Sequence, residues 1–301
     1  MSESKFKSGY VALAGRPNVG KSTLINAIVG ESLAIVTEKP QTTRHRICGI
    51  LSDDEAQIIL LDTPGYHLST KPLNAAMNDI VGAVIRDADV VCLMVPADAR
   101  DFQIEKRLFD IAGSDRTIVV VNKGDLLARD RFESTALRFR DEWGAKEVAI
   151  ISALKCEGVG DLIGIIKQRL PEGPEYFSKE LYTDHSVRFL VAELIRRQLF
   201  LQMHQEIPYA AAVEIESFLD ATENDLITRI KASIVVEKES QKAMIIGRNG
   251  TRIKELGKKS RQDIEELVDG KVFLELFVKV EKNWTRDPQK LRALGYSNQT
   301  D

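Results

Sequence analysis

The segment Gly15–Ser22 matches the phosphate-binding pattern G-x-x-x-x-G-K-[ST], between an apolar run of strand length and a helical stretch that begins at Thr23. Backbone amides of such a loop turn inward around phosphate oxygens, and the helix N-terminus adds a favourable dipole. Lys21 is expected to reach the β- and γ-phosphates, and Ser22 to bind Mg²⁺. The loop residues expected to contact a nucleotide are Gly15, Asn18, Val19, Gly20, Lys21, Ser22 and Thr23.

A second set of candidate residues, Asp62–Gly65, follows the apolar run Ile58–Leu61. A carboxylate at the end of a buried strand costs free energy unless something compensates its charge. Mg²⁺, bound to Asp62 through a water, is the expected compensation. Gly65 has no side chain, so its amide is expected to approach the γ-phosphate. At this distance after a phosphate loop, the pattern predicts a magnesium–phosphate site.

The polar segment Gln41–Arg46 lies between these two motifs. A threonine there adds its hydroxyl to Mg²⁺ and its amide to the γ-phosphate, which orders the segment only in the triphosphate state. Thr42 and Thr43 both meet this requirement, and the sequence does not decide between them. The alternative interpretation is a polar surface loop without a ligand.

The tetrapeptide Asn122–Asp125 follows the apolar run Thr117–Val121 and predicts guanine recognition. The Asp125 carboxylate accepts hydrogen bonds from guanine N1 and N2, whereas adenine offers no such pair of donors. A site built for paired donors rejects a base that leaves it unpaired. Lys123 is expected to lie along the base plane, and Asn122 to brace the loop.

The tripeptide Ser152-Ala153-Leu154 follows the next apolar run and completes the predicted nucleotide site. It is expected to place the Ala153 amide near guanine O6. Four motifs, namely Gly15–Ser22, Asp62–Gly65, Asn122–Asp125 and Ser152–Leu154, follow one another in the order that one guanine nucleotide requires. GTP or GDP with Mg²⁺ is therefore the predicted ligand.

The residues expected to promote hydrolysis are Asn18, Lys21, Thr42, Thr43 and Gly65. Phosphoryl transfer needs in-line water, neutralised charge and positioning more than covalent chemistry. Tyr66 stands where Ras-like enzymes place a water-orienting glutamine, and neither it nor His67 is a convincing replacement. Slow intrinsic turnover follows. Our hypothesis is that K⁺ bound near Asn18 and the loop at Gln41–Arg44 accelerates hydrolysis; the alternative is that Asn18 only caps the loop.

The second half of the chain contains the G-x-x-G motif Gly247–Gly250 between two helical stretches. KH domains use such a loop to clamp about four nucleotides. From Gln241 to Gln262 there are seven basic residues and one acidic residue, in a chain whose net charge is −3. This asymmetry favours phosphate binding over a merely solvated basic face. The predicted RNA-binding residues are Lys242, Ile246, Gly247, Arg248, Asn249, Gly250, Arg252, Ile253, Lys254 and Lys258.

These motifs need particular elements to hold them. The apolar runs of strand length in the first half are 10–14, 57–61, 90–95, 117–121 and 147–151, and helical stretches separate most of them. Such alternation predicts an α/β P-loop GTPase domain over residues 1–173, with a mostly parallel sheet and helices on both faces. Residues 174–184, after the breaker Pro171–Pro174, are predicted to form a linker.

Residues 185–301 follow the order α-β-β-α-α-β, which predicts a smaller α+β KH domain of type II with a C-terminal tail. Trp284 in that tail either stacks on a base or anchors the tail, and the sequence leaves both interpretations open.

Composition agrees with two globular domains: the chain has 301 residues, of which 44% are hydrophobic and 29% charged. Its N-terminus lacks a signal-peptide pattern, and no apolar run has the roughly 18–20 residues of a membrane span. The three cysteines have no paired spacing, so reduced thiols in the cytoplasm are expected. Nothing in the sequence demands more than a monomer.

The sequence resembles the Era family of bacterial ribosome-assembly GTPases over essentially its whole length. The segments that carry the resemblance are Gly15–Ser22, Gln41–Arg46, Asp62–Gly65, Asn122–Asp125, Ser152–Leu154, Leu170–Glu172, Tyr182–Asp184, Ile207–Tyr209, Ile246–Lys254, Leu274–Leu276, Trp284 and Leu291–Tyr296. The resemblance implies a KH domain that binds the 3′ end of 16S ribosomal RNA, with a role in assembly of the 30S subunit. It also implies cytoplasmic location with some peripheral attachment to the inner membrane.

Two other functions compete with a GTP-driven switch on RNA. One is an RNA-binding module with a structural nucleotide and no productive hydrolysis, which Tyr66 favours. The other is a membrane-signalling GTPase whose KH domain contacts protein, which the basic segment around Gly247–Gly250 disfavours.

Overall fold

The computed structural model describes residues 5–37, 39, 42–68, 72–203, 206–223 and 225–296. By their contacts the residues divide into two compact units, Met1–Asp184 and His185–Asp301. Among the described residues, no helix is both long enough and apolar enough to cross a bilayer.

The first unit contains a six-stranded sheet in the order β2-β3-β1-β4-β5-β6. The strands are β1 Lys7–Gly15, β2 Ile47–Ser52, β3 Ala56–Asp62, β4 Val90–Pro96, β5 Thr117–Asn122 and β6 Glu147–Ile150. Among the described strands of this sheet, β2, at one edge, runs antiparallel to its neighbour, and the other pairs are parallel. β3 and β4 are buried along their whole length, which explains their unbroken apolar runs. The predicted mostly parallel sheet is confirmed.

In the described part of this unit, the helices that cover the sheet are α1 Lys21–Val29, α2 Pro72–Asp87, α3 Gln103–Ala112, α4 Phe132–Trp143 and α5 Val159–Arg169. α1 contacts α5, whereas α2 contacts α3. One apolar cluster joins α2, α3 and Phe139 of α4 to alternate residues of β1, β3, β4 and β5. In parallel βα units the carboxyl ends of the strands meet at one edge of the sheet, so the four sequence motifs are brought to that edge.

Strand β2 was not among the predicted strands. Its six residues follow the polar segment at Thr42–Arg46 and contain Gly49, so they give no clear alternation of apolar and polar residues. A tight turn forms the strand pair: the Asp53 carboxylate accepts hydrogen bonds from the amides of Glu55 and Ala56, both at 2.9 Å. The extended conformation of β2 therefore depends on its pairing with β3 and not on its own sequence pattern.

The segment 174–184, predicted as a linker, is packed against the first unit. The Gln57 side chain donates to the Phe177 carbonyl at 2.8 Å and accepts from the Tyr176 amide at 2.8 Å. The Thr183 hydroxyl donates to the Cys48 carbonyl at 2.6 Å. The segment is thus bound to β2 and β3 rather than free, and the boundaries 1–173, 174–184 and 185–301 stay a prediction.

The second unit contains a three-stranded sheet in the order β7-β8-β9. Its elements are α6 Val187–Gln202, β7 Ala212–Leu219, β8 Ile227–Val236, α7 Glu239–Ile246, α8 Thr251–Val268, β9 Lys271–Val280 and α9 Pro288–Ala293. β8 and β9 are parallel, so α7 and α8 form the crossover between them. The predicted order α-β-β-α-α-β is confirmed, and the short α9 was not predicted.

Trp284 anchors the tail of this unit. Its side chain is fully buried, its indole N–H donates to the Ala210 carbonyl at 3.2 Å, and its ring stacks on Tyr296 with centroids 5.8 Å apart. A fully buried ring has no exposed face on which a base could stack. Trp284 therefore anchors the C-terminal tail, which is the second of the two interpretations.

Candidate functional site

The phosphate loop joins the end of β1 to the first turn of α1. Gly20, with φ 104°, precedes the helix and supplies no capping side chain, which leaves the first amides of α1 available to an anion. Lys21 is buried, and its ammonium donates to the carbonyl oxygens of Gly15 at 3.3 Å and Arg16 at 3.1 Å. Burial lowers the Lys21 pKa, while the Asp62 and Glu105 carboxylates oppose that shift.

Ser22, Thr43 and Asp62 bring three oxygens together beside this loop. Asp62 Oδ2 accepts from the Ser22 hydroxyl at 2.7 Å and from the Thr43 hydroxyl at 3.3 Å, and the two hydroxyls are 2.8 Å apart. Asp62 is fully buried, and its Oδ1 has no hydrogen-bond partner among the described residues. Burial raises the Asp62 pKa to about 6, although Lys21 lowers it. A buried carboxylate with an unused oxygen beside two hydroxyls fits a hard divalent cation such as Mg²⁺.

Thr42 does not join this cluster. Its hydroxyl donates to the Lys39 carbonyl at 3.2 Å, so it bonds within its own segment. The neighbouring Gln41, which the sequence interpretation included in the same segment, lies outside the described residues.

The segment after Asp62 is held against the phosphate loop. Gly65 lies so close to Pro17 that a Cβ there would be 2.7 Å from Pro17 Cα, and the Tyr66 amide donates to the Gly15 carbonyl at 3.1 Å. The Tyr66 ring is buried in the apolar cluster under α2 and α3, with the Arg107 guanidinium 5.6 Å from its centroid. A ring buried there cannot orient a water at the phosphate.

Arg16, inside the phosphate loop, binds Glu105 of α3, and the sequence interpretation did not include this pair. Its Nε and Nη2 donate to the two Glu105 oxygens at 2.5 and 2.6 Å. Glu105 is fully buried although it occupies the same helix face as Leu108, Phe109 and Ala112. An acidic residue in an apolar stripe was the available signal for a buried ion pair.

The guanine-recognition residues lie at the ends of β5 and β6. The Asn122 amide group donates to the Val19 carbonyl at 2.7 Å, and its Oδ1 accepts from the Ala153 amide at 2.9 Å. Asn122 therefore braces the loop, as predicted from its position. A contact between the Ala153 amide and guanine O6 would have to share the hydrogen that already bonds to Asn122.

Asp125 points its carboxylate toward Ser152 and Lys155. A hydrogen bond from Ser152 is the main cause that lowers the Asp125 pKa, and Lys155 lies 3.7 Å from Oδ2. Asp125 is thus held as the anion that pairing with guanine N1 and N2 requires. Leu154, by contrast, is 79% exposed and contributes no buried contact to this loop.

A cavity of about 300 Å³ lies over the phosphate loop. Its lining residues are Pro17, Asn18, Gly20, Lys21, Ser22, Thr23, Ile35, Val36, Thr37, Thr42, Thr43, Gly65 and Lys123. Most of the predicted phosphate-loop residues, with Thr42, Thr43 and Gly65, thus share this cavity with Lys123, whereas Asp62, Asn122, Asp125 and Ser152–Leu154 are not in its lining. Pro17 was missed because it occupies a variable position of the phosphate-loop pattern, and the stretch 35–37 because it has no sequence pattern.

In the second unit, the G-x-x-G loop forms the tight turn between α7 and α8. Gly247 has φ 70°, and a side chain there would collide with Arg252, since a Cβ would be 2.8 Å from its Cγ. Arg248, Asn249, Arg252, Lys254 and Lys258 are exposed, whereas Ile246, Lys242 and Ile253 are partly buried. The loop therefore presents backbone and cations to solvent, as phosphate clamping requires.

A groove of about 400 Å³ adjoins this loop between α8 and the edge strand β9. Its lining residues are Ile253, Lys254, Gly257, Lys258, Arg261, Phe273, Leu274 and Leu276. Ile253, Lys254 and Lys258 were predicted. The β9 residues were missed because they reach the groove through the crossover and not through sequence proximity, and Gly257 and Arg261 of α8 were outside the predicted set.

Comparisons with known families match a GTPase family to the first unit and a KH family to the second. The family described as 50S ribosome-binding GTPase matches residues 10–123, and the KH domain family matches residues 206–285. GTPase Era of Syntrophus aciditrophicus is 45% identical over 97% of this chain and 96% of its own length. GTPase Era of Geobacter metallireducens is 42% identical over 99% of this chain and its whole length.

Two solved structures share the full architecture. One is a tyrosine-to-alanine variant of Aquifex aeolicus Era bound to GDP·AlF₄⁻, with a TM-score of 0.91 and 35% identity over 97% of this chain and 100% of that chain. The other is Era in complex with MgGDPNP and nucleotides 1506–1542 of 16S ribosomal RNA, with the same TM-score of 0.91, identity of 35% and coverage. With a phosphate loop, a guanine-recognition segment and a KH fold in one chain, this protein belongs to the Era family of GTPases.

Proposed function

We propose that this GTPase is a nucleotide-controlled switch that binds 16S ribosomal RNA near its 3′ end and assists assembly of the 30S subunit. The observation that carries the proposal is the groove between α8 and β9, which adjoins the G-x-x-G loop and is lined by Lys254, Lys258 and Arg261. The solved Era complex with nucleotides 1506–1542 supports the choice of RNA. A basic groove beside a loop that exposes its backbone fits a single strand.

In the nucleotide site, we assign Thr43 rather than Thr42 to Mg²⁺, together with Ser22 and Asp62. The three side chains already share hydrogen bonds; Mg²⁺ would bind the Ser22 and Thr43 hydroxyls, and Asp62 through a water, while adding positive charge beside the phosphates. Thr43 lies on a loop and Asp62 on a strand, so a cation joined to both would order that loop in the GTP state.

Potassium is the second proposed cofactor. Asn18, with φ 57°, lies in the wall of the same cavity as Thr37 and Thr43, and its side-chain oxygen is a suitable ligand for a monovalent cation. The burial of Tyr66 leaves charge stabilisation as the available source of acceleration. We expect faster turnover in K⁺ than in Na⁺, and Asn18→Ala should remove that difference while GDP still binds. Equal turnover in the two salts contradicts the proposal.

The RNA assignment is tested by charge reversal in the groove. Lys254→Glu with Lys258→Glu should weaken binding to an RNA of the 16S 3′ segment and flatten the dependence of affinity on salt by about two charges. Lys259→Glu is the matched control, since Lys259 lies on the same helix outside the groove lining, 3.8 Å from Glu255. Unchanged affinity and slope in the double variant would favour a protein partner instead.

The switch itself is tested by comparing RNA affinity with a GTP analogue, with GDP and without nucleotide. Coupling of this kind is typically about 1–3 kcal/mol, roughly 5- to 150-fold in affinity, and it is reciprocal. Identical affinity in all three states would contradict a switch. Absence of multiple-turnover phosphate release, with and without RNA, would favour the module with a structural nucleotide.

Action on the 30S subunit and cytoplasmic location with peripheral attachment to the inner membrane stay predictions from the resemblance, and a monomeric state stays a prediction from the sequence. Crosslinking followed by sequencing of the bound RNA would identify the RNA element, and fractionation of the cells would test the membrane fraction.

A further inference from the structure

The RNA groove has an aromatic residue at its rim. β9 pairs only with β8 among the described strands, so its other edge forms one wall of the groove. Along β9, Val272, Leu274, Leu276 and Val278 are more buried than the residues between them, because they face the helices. Phe273 belongs to the opposite face, yet it lines the groove because it lies on the edge strand.

The Phe273 side chain is unusually exposed to solvent for a large apolar side chain. It is 49% exposed, and the guanidinium of Arg229, its register partner on β8, lies 5.6 Å from the ring centroid. Arg229 is also 3.1 Å from the Asp225 carboxylate, so its charge is partly neutralised. The pair therefore offers a flat, half-exposed surface with modest charge at the edge of a strongly basic groove.

This surface has the chemistry of a base-stacking site. Every nucleobase has a π-face, and stacking on an aromatic side chain or on an arginine plane is a common way to hold an unpaired base. Phosphates held by Lys254, Lys258 and Arg261 would leave the bases of the same strand free to turn outward. A polypeptide could pair with the free edge of β9, but its backbone carries no charge for the three cations to neutralise, so the basic groove favours a nucleic-acid strand.

We propose that Phe273, braced by Arg229, is a stacking subsite for one unpaired base of the RNA strand where that strand passes over the edge of β9. The proposal rests on the RNA function proposed above and adds a subsite outside the G-x-x-G loop and its helix.

Phe277 provides a matched control. It lies four residues along the same face of β9, is 43% exposed, and has the Lys231 ammonium 4.9 Å from its ring centroid. It does not line the groove. Phe273 and Phe277 thus share strand, face, exposure and a cation neighbour, and they differ in access to the groove.

The experiment measures binding of the full chain to a single-stranded oligonucleotide of the 16S 3′ segment. Phe273→Ala should weaken binding about 10-fold, within the range that stacking of one base contributes. Phe273→Trp should bind within about twofold of wild type and Phe273→Leu should resemble alanine, because leucine keeps the apolar volume but lacks a π-face. Phe277→Ala should bind like wild type.

Oligonucleotides with a single abasic position would then locate the base. One abasic position should weaken binding to wild type but not to Phe273→Ala, because both changes remove the same contact. The salt dependence should be unchanged, since no charge is removed.

Wild-type affinity of Phe273→Ala, or full affinity of Phe273→Leu, would overturn the subsite. If the Phe273 variants bind like wild type but Lys254→Glu with Lys258→Glu still weakens RNA binding, the proposed RNA function is retained and the stacking subsite is rejected. Unfolding temperatures of both alanine variants should match, which separates a contact from a folding defect.

Discussion

The Asn122 side chain donates a hydrogen bond to the Val19 carbonyl across 2.7 Å, although the two residues are 103 positions apart. The same side chain accepts from the Ala153 amide at 2.9 Å. One amide group therefore ties the predicted phosphate-binding loop to the two segments predicted to recognise guanine. Its contribution is positional, because both of its partners are backbone groups.

Asn122→Ala should weaken GDP and GTP binding to a similar extent and lower protein stability. Each buried group that loses its partner costs about 1–3 kcal/mol, and the contacts with Val19 and Ala153 are both lost. Dissociation rates of a fluorescent GDP and a fluorescent GTP analogue measure the effect. A defect confined to GTP would contradict it, because neither partner lies at the γ-phosphate.

Asp125→Asn should exchange guanine for xanthine specificity. The carboxylate accepts from guanine N1 and N2, whereas an amide offers a donor that matches the carbonyl at C2 of xanthine. We expect GTP affinity to fall by roughly 10³-fold or more while XTP binding appears, as for other sites that read donors and acceptors. Competition between GTP and XTP measures the exchange, and loss of binding to both would show that Asp125 mainly supports the loop.

Thr43→Ala and Thr42→Ala form a matched pair. Only Thr43 shares a hydrogen bond with Ser22 and lies 3.3 Å from Asp62 Oδ2, so Thr43→Ala should slow hydrolysis and weaken Mg²⁺-dependent binding of a GTP analogue. Affinity for GDP should change little. Thr42→Ala should retain near wild-type turnover, because its hydroxyl bonds to Lys39. A larger defect for Thr42→Ala would reverse our assignment of the Mg²⁺ ligand.

Asp62 should make the nucleotide-free protein less stable at neutral pH. Burial raises its pKa from 3.8 to about 6, so the folded state binds the proton more tightly than the unfolded state. The free energy of unfolding should therefore fall as pH rises from about 4 to about 6, and this contribution should stay constant above that range. In EDTA without nucleotide, Asp62→Asn should be more stable than wild type by about 1–3 kcal/mol near neutral pH, and the difference should shrink on acidification. Calorimetry at several pH values tests this, and a difference independent of pH would contradict it.

The sequence was sufficient for the chemistry of the nucleotide site. Gly15–Ser22, Asp62–Gly65 and Asn122–Asp125 are local patterns in which a few adjacent residues supply most of what a phosphate, a cation or a base requires. Their order along a βα alternation then placed them at one sheet edge, because the carboxyl ends of parallel strands meet there.

Other features depend on which distant residues meet. Neither the edge strand β2 nor the packing of 174–184 on it has a local signal, since both depend on pairing with strands elsewhere in the chain. Glu105 could have been suspected from its place on an apolar helix face, but its partner Arg16 is 89 residues away. Trp284 could be assigned only after Tyr296 and Ala210 were placed around it.

By itself, then, the sequence determined a guanine nucleotide site, its magnesium and a KH domain with a basic G-x-x-G helix. Only the tertiary structure favoured Thr43 over Thr42 as the proposed Mg²⁺ ligand, buried the Tyr66 ring in the apolar cluster and brought Phe273 to the rim of the groove. The physical reason is that ligand chemistry depends on residue types at short spacing, whereas burial and access depend on strands and helices that the chain joins from far apart.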